Sequence, residues 1–388
     1  MFSKRTDWSL TTNRFTQALA DARAAGAEVL DLTVSNPTRA DLHFDQMTIL
    51  GSLNSSGVLD YDPQAKGVLS ARQAVAAYYQ NDHKLVVDPE SIVLTTSTSE
   101  GYSYVFRLLC NVGDEILVPK PSYPLFEFLA DLQDVLLVPY PLLYDHGWQI
   151  DLPSLNRALT PRTRAVVVVH PNNPTGSYAS GAEIASLNRF CKENGLALIV
   201  DEVFLDYRHD GVLHPSFARN DGVLTFTLSG LSKVSGLPQM KVAWVITSGP
   251  EIEKREALAR VEMIADTYLS MNAPLQLATP TLLDQRRQIQ PQLLNRVRAN
   301  LHQFRRQLLR QQTCTALGVE GGWYVVLRVP VVQSDEDLAI DLLRKAAVLV
   351  HPGHFYDFPV DGYLVLSLIT PTAIFEEGVR RILAHVNG

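Results

Sequence analysis

The chain has 388 residues, a formal net charge of −7, 46% hydrophobic residues and 19% charged ones. That length predicts one large domain or two with a sizeable core, and an acidic balance without a Lys/Arg block excludes nucleic acid and anionic membrane surfaces as main partners. Cys110, Cys191 and Cys314 are far apart in sequence, which excludes a disulfide framework and a structural zinc site. No apolar run reaches the ~18 residues a membrane span needs, and "MFSKRTDWSLTTNRF" has no signal-peptide apolar core, so a cytoplasmic protein with no membrane partner is expected.

In chain order, "NRFTQALADARAAGA" (13–27) has helical spacing and "EVLDLTV" (28–34) reads as a strand. "SARQAVAAYYQND" (70–82) is an amphipathic helix, "SIVLTTS" (91–97) a strand and "EGYSYVFRLLCNV" (100–112) a helix. "DEILVPK" (114–120) is a strand, "PLFEFLADLQ" (124–133) a helix, and "AVVVVH" (165–170) an apolar run too short for a helix. "GAEIASLNRFCKENG" (181–195) is a helix and "LALIVDEVF" (196–204) a strand; "VLTFTL" and "VAWVITS" flank Lys233 as further strands. Strand–helix alternation with strands apolar on both faces predicts an α/β fold: a mainly parallel sheet between helices. Residues 287–311 read as one long helix that would bend at Pro291. Beyond it, "GGWYVVLRV", "AAVLVHPG" and "YLVLSLIT" are strand-like pieces around helical "DEDLAIDLLRK", a smaller α+β unit. The expected division is a large domain over 45–282 and a small domain from both chain ends, 1–44 and 283–388.

In open parallel sheets, ligands sit at the carboxyl ends of the strands. After "IVLTT" come Ser97, Thr98, Ser99, Glu100 and Gly101, which open a helix, and helix N-termini suit anions. After "AVVVVH" comes "PNNPTG"; after "LALIV" comes Asp201; after "TFTLSG" comes Lys233. The strand ends thus offer an anion site, an amide, a carboxylate and an amine. There is no G-x-G-x-x-G after a strand and no Walker loop. Each feature alone has a plainer reading, as a capping turn, a turn residue, a surface charge or a snorkelling lysine. Their order along the chain is what carries information.

"NPTG" (173–176), "DEVF" (201–204) and "SK" within "SGLSKVSGLPQMK" (229–241) resemble the signature of class I/II aminotransferases, pyridoxal-phosphate enzymes of fold type I. The resemblance runs from "VLDLTVSNP" (29–37) through "YDPQAKGVLSARQAVAAYY" (61–79) and "NVGDEILVPKPSYPLFE" (111–127) to "YLVLSLITP" (363–371). It implies a large cofactor-binding domain and a smaller α+β domain. Lys233 would hold pyridoxal 5′-phosphate as a Schiff base and shuttle the substrate proton, which needs an amine whose pKa is lowered by a dry pocket. Asp201 would pair with the pyridine nitrogen and keep the ring an electron sink. Asn173 would bond the 3′-oxygen, Tyr123 would stack on the ring, and Ser97, Thr98 and Ser99 would hold the phosphate. Lys241 falls where the family usually has a phosphate-binding arginine. Tyr61 matches a tyrosine that reaches the neighbouring subunit's phosphate, so a homodimer with shared sites is implied. The partners would be a small amino donor and a 2-oxo acid acceptor.

Three departures bear on substrate. Phe204 stands where a tyrosine usually donates to the 3′-oxygen, and Ser35 where a glycine is common. Val365 occupies the position of the arginine that usually grips the substrate carboxylate, a bidentate charged contact. Three explanations follow: another group, with His354 as candidate alongside Ser35 and Asn173, holds the carboxylate; the substrate is an amine without one; or the enzyme is a β-eliminating lyase. A non-catalytic cofactor-binding regulator is the remote alternative.

Overall fold

The computed structural model describes residues 1–124, 126–269 and 271–388. Its strands, in chain order, are β1 Leu30–Asp31, β2 Ile92–Thr95, β3 Glu115–Lys120, β4 Leu136–Tyr144, β5 Trp148–Ile150, β6 Thr163–Val169 and β7 Ala197–Asp201. They continue with β8 Thr225–Gly230, β9 Ala243–Ser248, β10 Thr315–Ala316, β11 Tyr324–Arg328, β12 Val348–Leu349, β13 His351–Pro352 and β14 Tyr363–Ser367. The large sheet has the order β2-β9-β8-β7-β6-β3-β4-β5. The run from β8 to β4 is parallel, β9 is antiparallel to both its neighbours, and β5 closes a hairpin on β4.

The continuous apolar strands are explained by their two covered faces. Along β6, Ala165, Val167 and Val169 pack into one layer with Phe106 and Val261, from the helices Thr98–Leu109 and Glu251–Thr267. Val166 and Val168 enter the opposite layer with Leu187 and Phe190 of the helix Gly181–Asn194. β2, β3, β6, β7 and β8 run in the same direction, which places their carboxyl ends along one rim of the sheet.

A four-stranded antiparallel sheet, β10-β11-β14-β13, and the short parallel pair β1–β12 form a second unit. Its core brings together Phe15 and Leu32 with Leu301, Phe304, Val326, Leu366 and Phe375, so residues from both chain ends share it. The helix Arg286–Leu308 runs into this core.

The strand expected over 28–34 is only two residues long. Asp31 Oδ1 accepts hydrogen bonds from the Thr33 amide and hydroxyl, and this local turn competes with strand pairing. Sequence reasoning passed over β4, which is half exposed and carries Pro139 and Pro141; prolines are confined to edge-type strands because they cannot donate to a ladder.

Candidate active site

A cavity of about 320 Å³ opens at the rim where β2, β3, β6, β7 and β8 end. The helix Thr98–Leu109 begins there, with Ser97 as its N-cap accepting from the Glu100 amide at 3.2 Å. A Cβ on Gly101 would stand 2.8 Å from Val245 and 3.0 Å from Leu228, so only glycine lets the first turn lie this close to the sheet. Ser97, Thr98 and Ser99 line the cavity; helix N-termini carry unpaired N–H groups and partial positive charge, which suit an anionic group.

Beyond β6, the two asparagines divide their roles. Asn172 Nδ2 donates to Pro121 O at 3.1 Å and to Thr175 Oγ1 at 2.9 Å, which fixes the turn. Asn173 lines the cavity with its Oδ1 buried and without a partner. A buried orphan amide atom costs free energy unless a ligand satisfies it.

Asp201, the last residue of β7, is 8% exposed. Burial raises its carboxyl to about 6, although the Val203 amide at 3.1 Å and the Tyr102 hydroxyl at 3.3 Å both donate to it and Lys233 attracts it. Lys233 rides on the helical turn Leu231–Val234 that follows β8. Its Nζ lies 3.5 Å from Ser35 O and faces the rings of Trp323 at 4.6 Å and Phe204 at 5.4 Å. Burial lowers its pKa to about 8, with Asp201 pulling the other way. A carboxylate held too high and an amine held too low, facing one cavity, form a pair poised for a ligand that takes a proton from one and a covalent link from the other.

Among the described residues, Ser35, Ser97, Thr98, Ser99, Tyr123, Asn173, Asp201 and Lys233 thus share the cavity. Other expected residues do not line it. Lys241 is exposed, in a left-handed backbone conformation (φ +49°), while Pro238 and Ala243 on either side of it reach the cavity wall. His354 points outward from the turn Gly353–Tyr356, whose buried members are Gly353 and Tyr356; that turn sends Tyr356 inward, and the substrate role expected for His354 is not met by its position. Tyr61 is 77% exposed in the single chain. Val365 is buried on β14. Sequence reasoning missed Tyr324, which lines the cavity from the start of β11. It also missed Tyr102, whose place one helical turn after Ser97–Ser99 was the available signal.

The model of the family aminotransferase class I and II matches residues 28–382. The chain belongs to this family. It is 27% identical over 351 residues to the glutamate-pyruvate aminotransferase AlaA of Haemophilus influenzae, covering 88% of this chain and 87% of that one. It is 27% identical over 368 residues to the aspartate/prephenate aminotransferase of Thermus thermophilus, covering 94% and 91%. Among solved structures, an alanine aminotransferase from Pyrococcus furiosus superposes with a TM-score of 0.89 at 22% identity, over 100% of both chains. The family expectation from "NPTG", "DEVF" and the Lys233 segment therefore holds, and with it the α/β fold with a second, antiparallel unit. As an aminotransferase of this class the enzyme depends on pyridoxal phosphate. The residues present fit that cofactor: the cavity-lining Asn173, whose Nδ2 can donate to a ring oxygen, a buried carboxylate for the ring nitrogen, a helix start for the phosphate and a low-pKa lysine for the aldehyde.

Proposed function

We propose that this aminotransferase moves an amino group from a small amino donor to a 2-oxo acid in two half-reactions, with the cofactor's amino form carrying the group between them. The observation that carries this reading is the pairing in one cavity of Lys233, lowered to about 8, with Asp201, raised to about 6. When bound, pyridoxal phosphate supplies the electron sink that makes the substrate's Cα–H acidic. Lys233 Nζ would take the proton from the substrate's Cα and hand it back as general base and acid. Asp201 would hold a proton at the ring nitrogen. Asn173 would orient the ring through its 3′-oxygen, Tyr123 would cover its face, and Ser97, Thr98 and Ser99 would anchor the phosphate. Closure of the unit built from 1–44 and 283–388 over the one built from 45–282 would exclude water. A homodimer, in which Tyr61 reaches the neighbouring site, and a cytoplasmic location complete this reading; among the described residues no helix is long and apolar enough to cross a membrane.

One observation favours a second reading of the donor. Among the described residues lining the cavity, Lys233 alone is cationic. Register pairs Val365 with Val326 and His351, and Ser367 with Tyr324, which puts all five on one face of the small sheet. His351 is held neutral there, its pKa lowered by burial to about 4. Of that face only Tyr324 lines the cavity, so a carboxylate there would meet the hydroxyls of Ser35 and Tyr324 and, among the described lining residues, no guanidinium, and an unpaired buried charge is costly. An amine without an α-carboxylate fits this cavity better than an α-amino acid does. The test is a single turnover with a panel of amines and amino acids: pyridoxamine phosphate in stoichiometric yield supports amino transfer, and ammonia with a keto acid means elimination and overturns it.

A further inference from the structure

The turn that carries Lys233 has only four residues, too few to fix its own orientation. Its end is held from outside. The Tyr207 hydroxyl donates to Lys233 O at 2.6 Å. Gln290 Nε2 donates to Val234 O at 2.9 Å and to Asp206 Oδ2 at 2.5 Å. Gly236 has φ +63°, and a Cβ there would stand 2.8 Å from Ile289 Cγ2, so the turn is pressed directly against the residue preceding Gln290.

Asp206 is itself locked. It accepts the Tyr78 hydroxyl at 3.0 Å and pairs with His83 Nε2 at 2.9 Å; both partners belong to the helix Leu69–His83. Gln290 lies on the helix Arg286–Leu308, immediately before Pro291, whose missing N–H removes one hydrogen bond from that helix's ladder. Further along, Asn300 Nδ2 bonds Leu368 O at 2.9 Å and Thr370 O at 2.8 Å, at the exit of β14. Arg296 bonds Ala40 O at 3.0 Å. One helix is therefore fastened at its start to the lysine turn and along its length to the smaller unit.

We propose that Gln290 is a positioning residue for Lys233: its amide joins the fixed Asp206 carboxylate to the Val234 carbonyl, sets the tilt of the turn 231–234, and passes movement of the smaller unit to the lysine amine. The inference goes beyond the amino-transfer reading and rests on it only in taking Lys233 as the cofactor's anchor. Wild-type protein that shows no cofactor absorption band would sink that reading, while the hold of Gln290 on the turn is still read by exchange in the cofactor-free protein.

The test uses the whole chain loaded with pyridoxal phosphate and two substitutions. Gln290→Leu removes both hydrogen bonds at similar volume. The expected result is a kcat lower by about 10- to 100-fold, the scale of a small misplacement of a reacting group, with KM for the amino donor within about twofold. A readout independent of turnover is amide hydrogen exchange in the cofactor-free protein, where the amides of Ser235, Gly236 and Leu237 should lose protection. Gln290→Glu places a second carboxyl against Asp206. The two would share a proton, among Tyr78, His83 and Asp82 from one helix, Arg286 from the other, and Glu202 and Lys233 from the strand ends. While the shared proton is bound, the introduced carboxyl donates to Val234 O and activity persists; as pH rises and the proton leaves, Val234 O loses its partner and kcat falls along an alkaline limb absent from wild type. If Gln290→Leu does not accumulate as folded protein, this limb decides alone. Wild-type kcat, exchange protection and pH profile in the variants that fold would overturn the proposal.

Discussion

Replacing Asp201 with asparagine should move two observables in opposite directions. In the cofactor-free protein the carboxyl is 8% exposed and raised from its ordinary 3.8 to about 6. A carboxyl whose folded pKa lies above its unfolded one stabilises nothing above that range: the native state is penalised as pH rises from the unfolded value to the folded one, and the penalty then stays constant. At ~1.36 kcal/mol per pH unit this penalty is about 3 kcal/mol at neutral pH. Asparagine keeps an acceptor for the Val203 amide, turns the contact with the Tyr102 hydroxyl round so that the new Nδ2 donates to it, and removes the charge. Cofactor-free Asp201→Asn should therefore be more stable than wild type at pH 7.5, by up to about 3 kcal/mol, with the advantage fading toward pH 4. The loaded enzyme should do the reverse. Losing one partner of a buried ion pair costs about 3–5 kcal/mol, which corresponds to a kcat lower by roughly 10²- to 10⁴-fold. Urea unfolding of the cofactor-free proteins at pH 4 and pH 7.5, set beside kcat of the loaded ones, checks both arms. A variant less stable at pH 7.5, or one with kcat within tenfold of wild type, would refute the reasoning.

Two further substitutions test the substrate and cofactor walls. Val365→Arg puts a cation on the sheet face shared with Tyr324 and His351; it should raise kcat/KM for α-amino acids by at least about tenfold, the scale of one charged hydrogen bond, and leave amines unimproved. The same gain for amines would count against the neutral-wall reading. Phe204 is buried at 3% exposure on the cavity wall, so Phe204→Tyr would add a hydroxyl donor to that wall, within the proposed reach of the cofactor's 3′-oxygen. The pKa seen in the loaded enzyme's visible absorbance titration should fall by about one unit, equivalent to ~1.4 kcal/mol; an unmoved or raised value would mean the hydroxyl points elsewhere.

The layered sheet was legible because β6 and β7 are valine- and isoleucine-rich runs bounded by turn residues, and the lining of the candidate cavity was legible wherever a lining residue ends or closely follows a buried strand. Asn173, Asp201 and Lys233 are of this kind. Residues that reach the site through tertiary packing gave no such signal. Tyr324 begins a strand of the other sheet, and its role follows from where that sheet docks. Gln290 and Asp206 are 84 residues apart and meet only because the helix Arg286–Leu308 passes under the lysine turn. Lys241 shows the converse: the resemblance pointed it to the phosphate, yet its side chain is exposed in the isolated chain and does not line the cavity. Val365 was legible as an identity and not as an environment, since the neutral His351 opposite it depends on strand register.

The central claim is that the amine of Lys233 carries the cofactor. Borohydride reduction of the loaded enzyme, followed by peptide mass mapping, tests it most directly. A stoichiometric phosphopyridoxyl mass increase is expected on the peptide containing Lys233 and none after Lys233→Ala; the same increase on another lysine, or an undiminished visible band in Lys233→Ala, would contradict this role for Lys233.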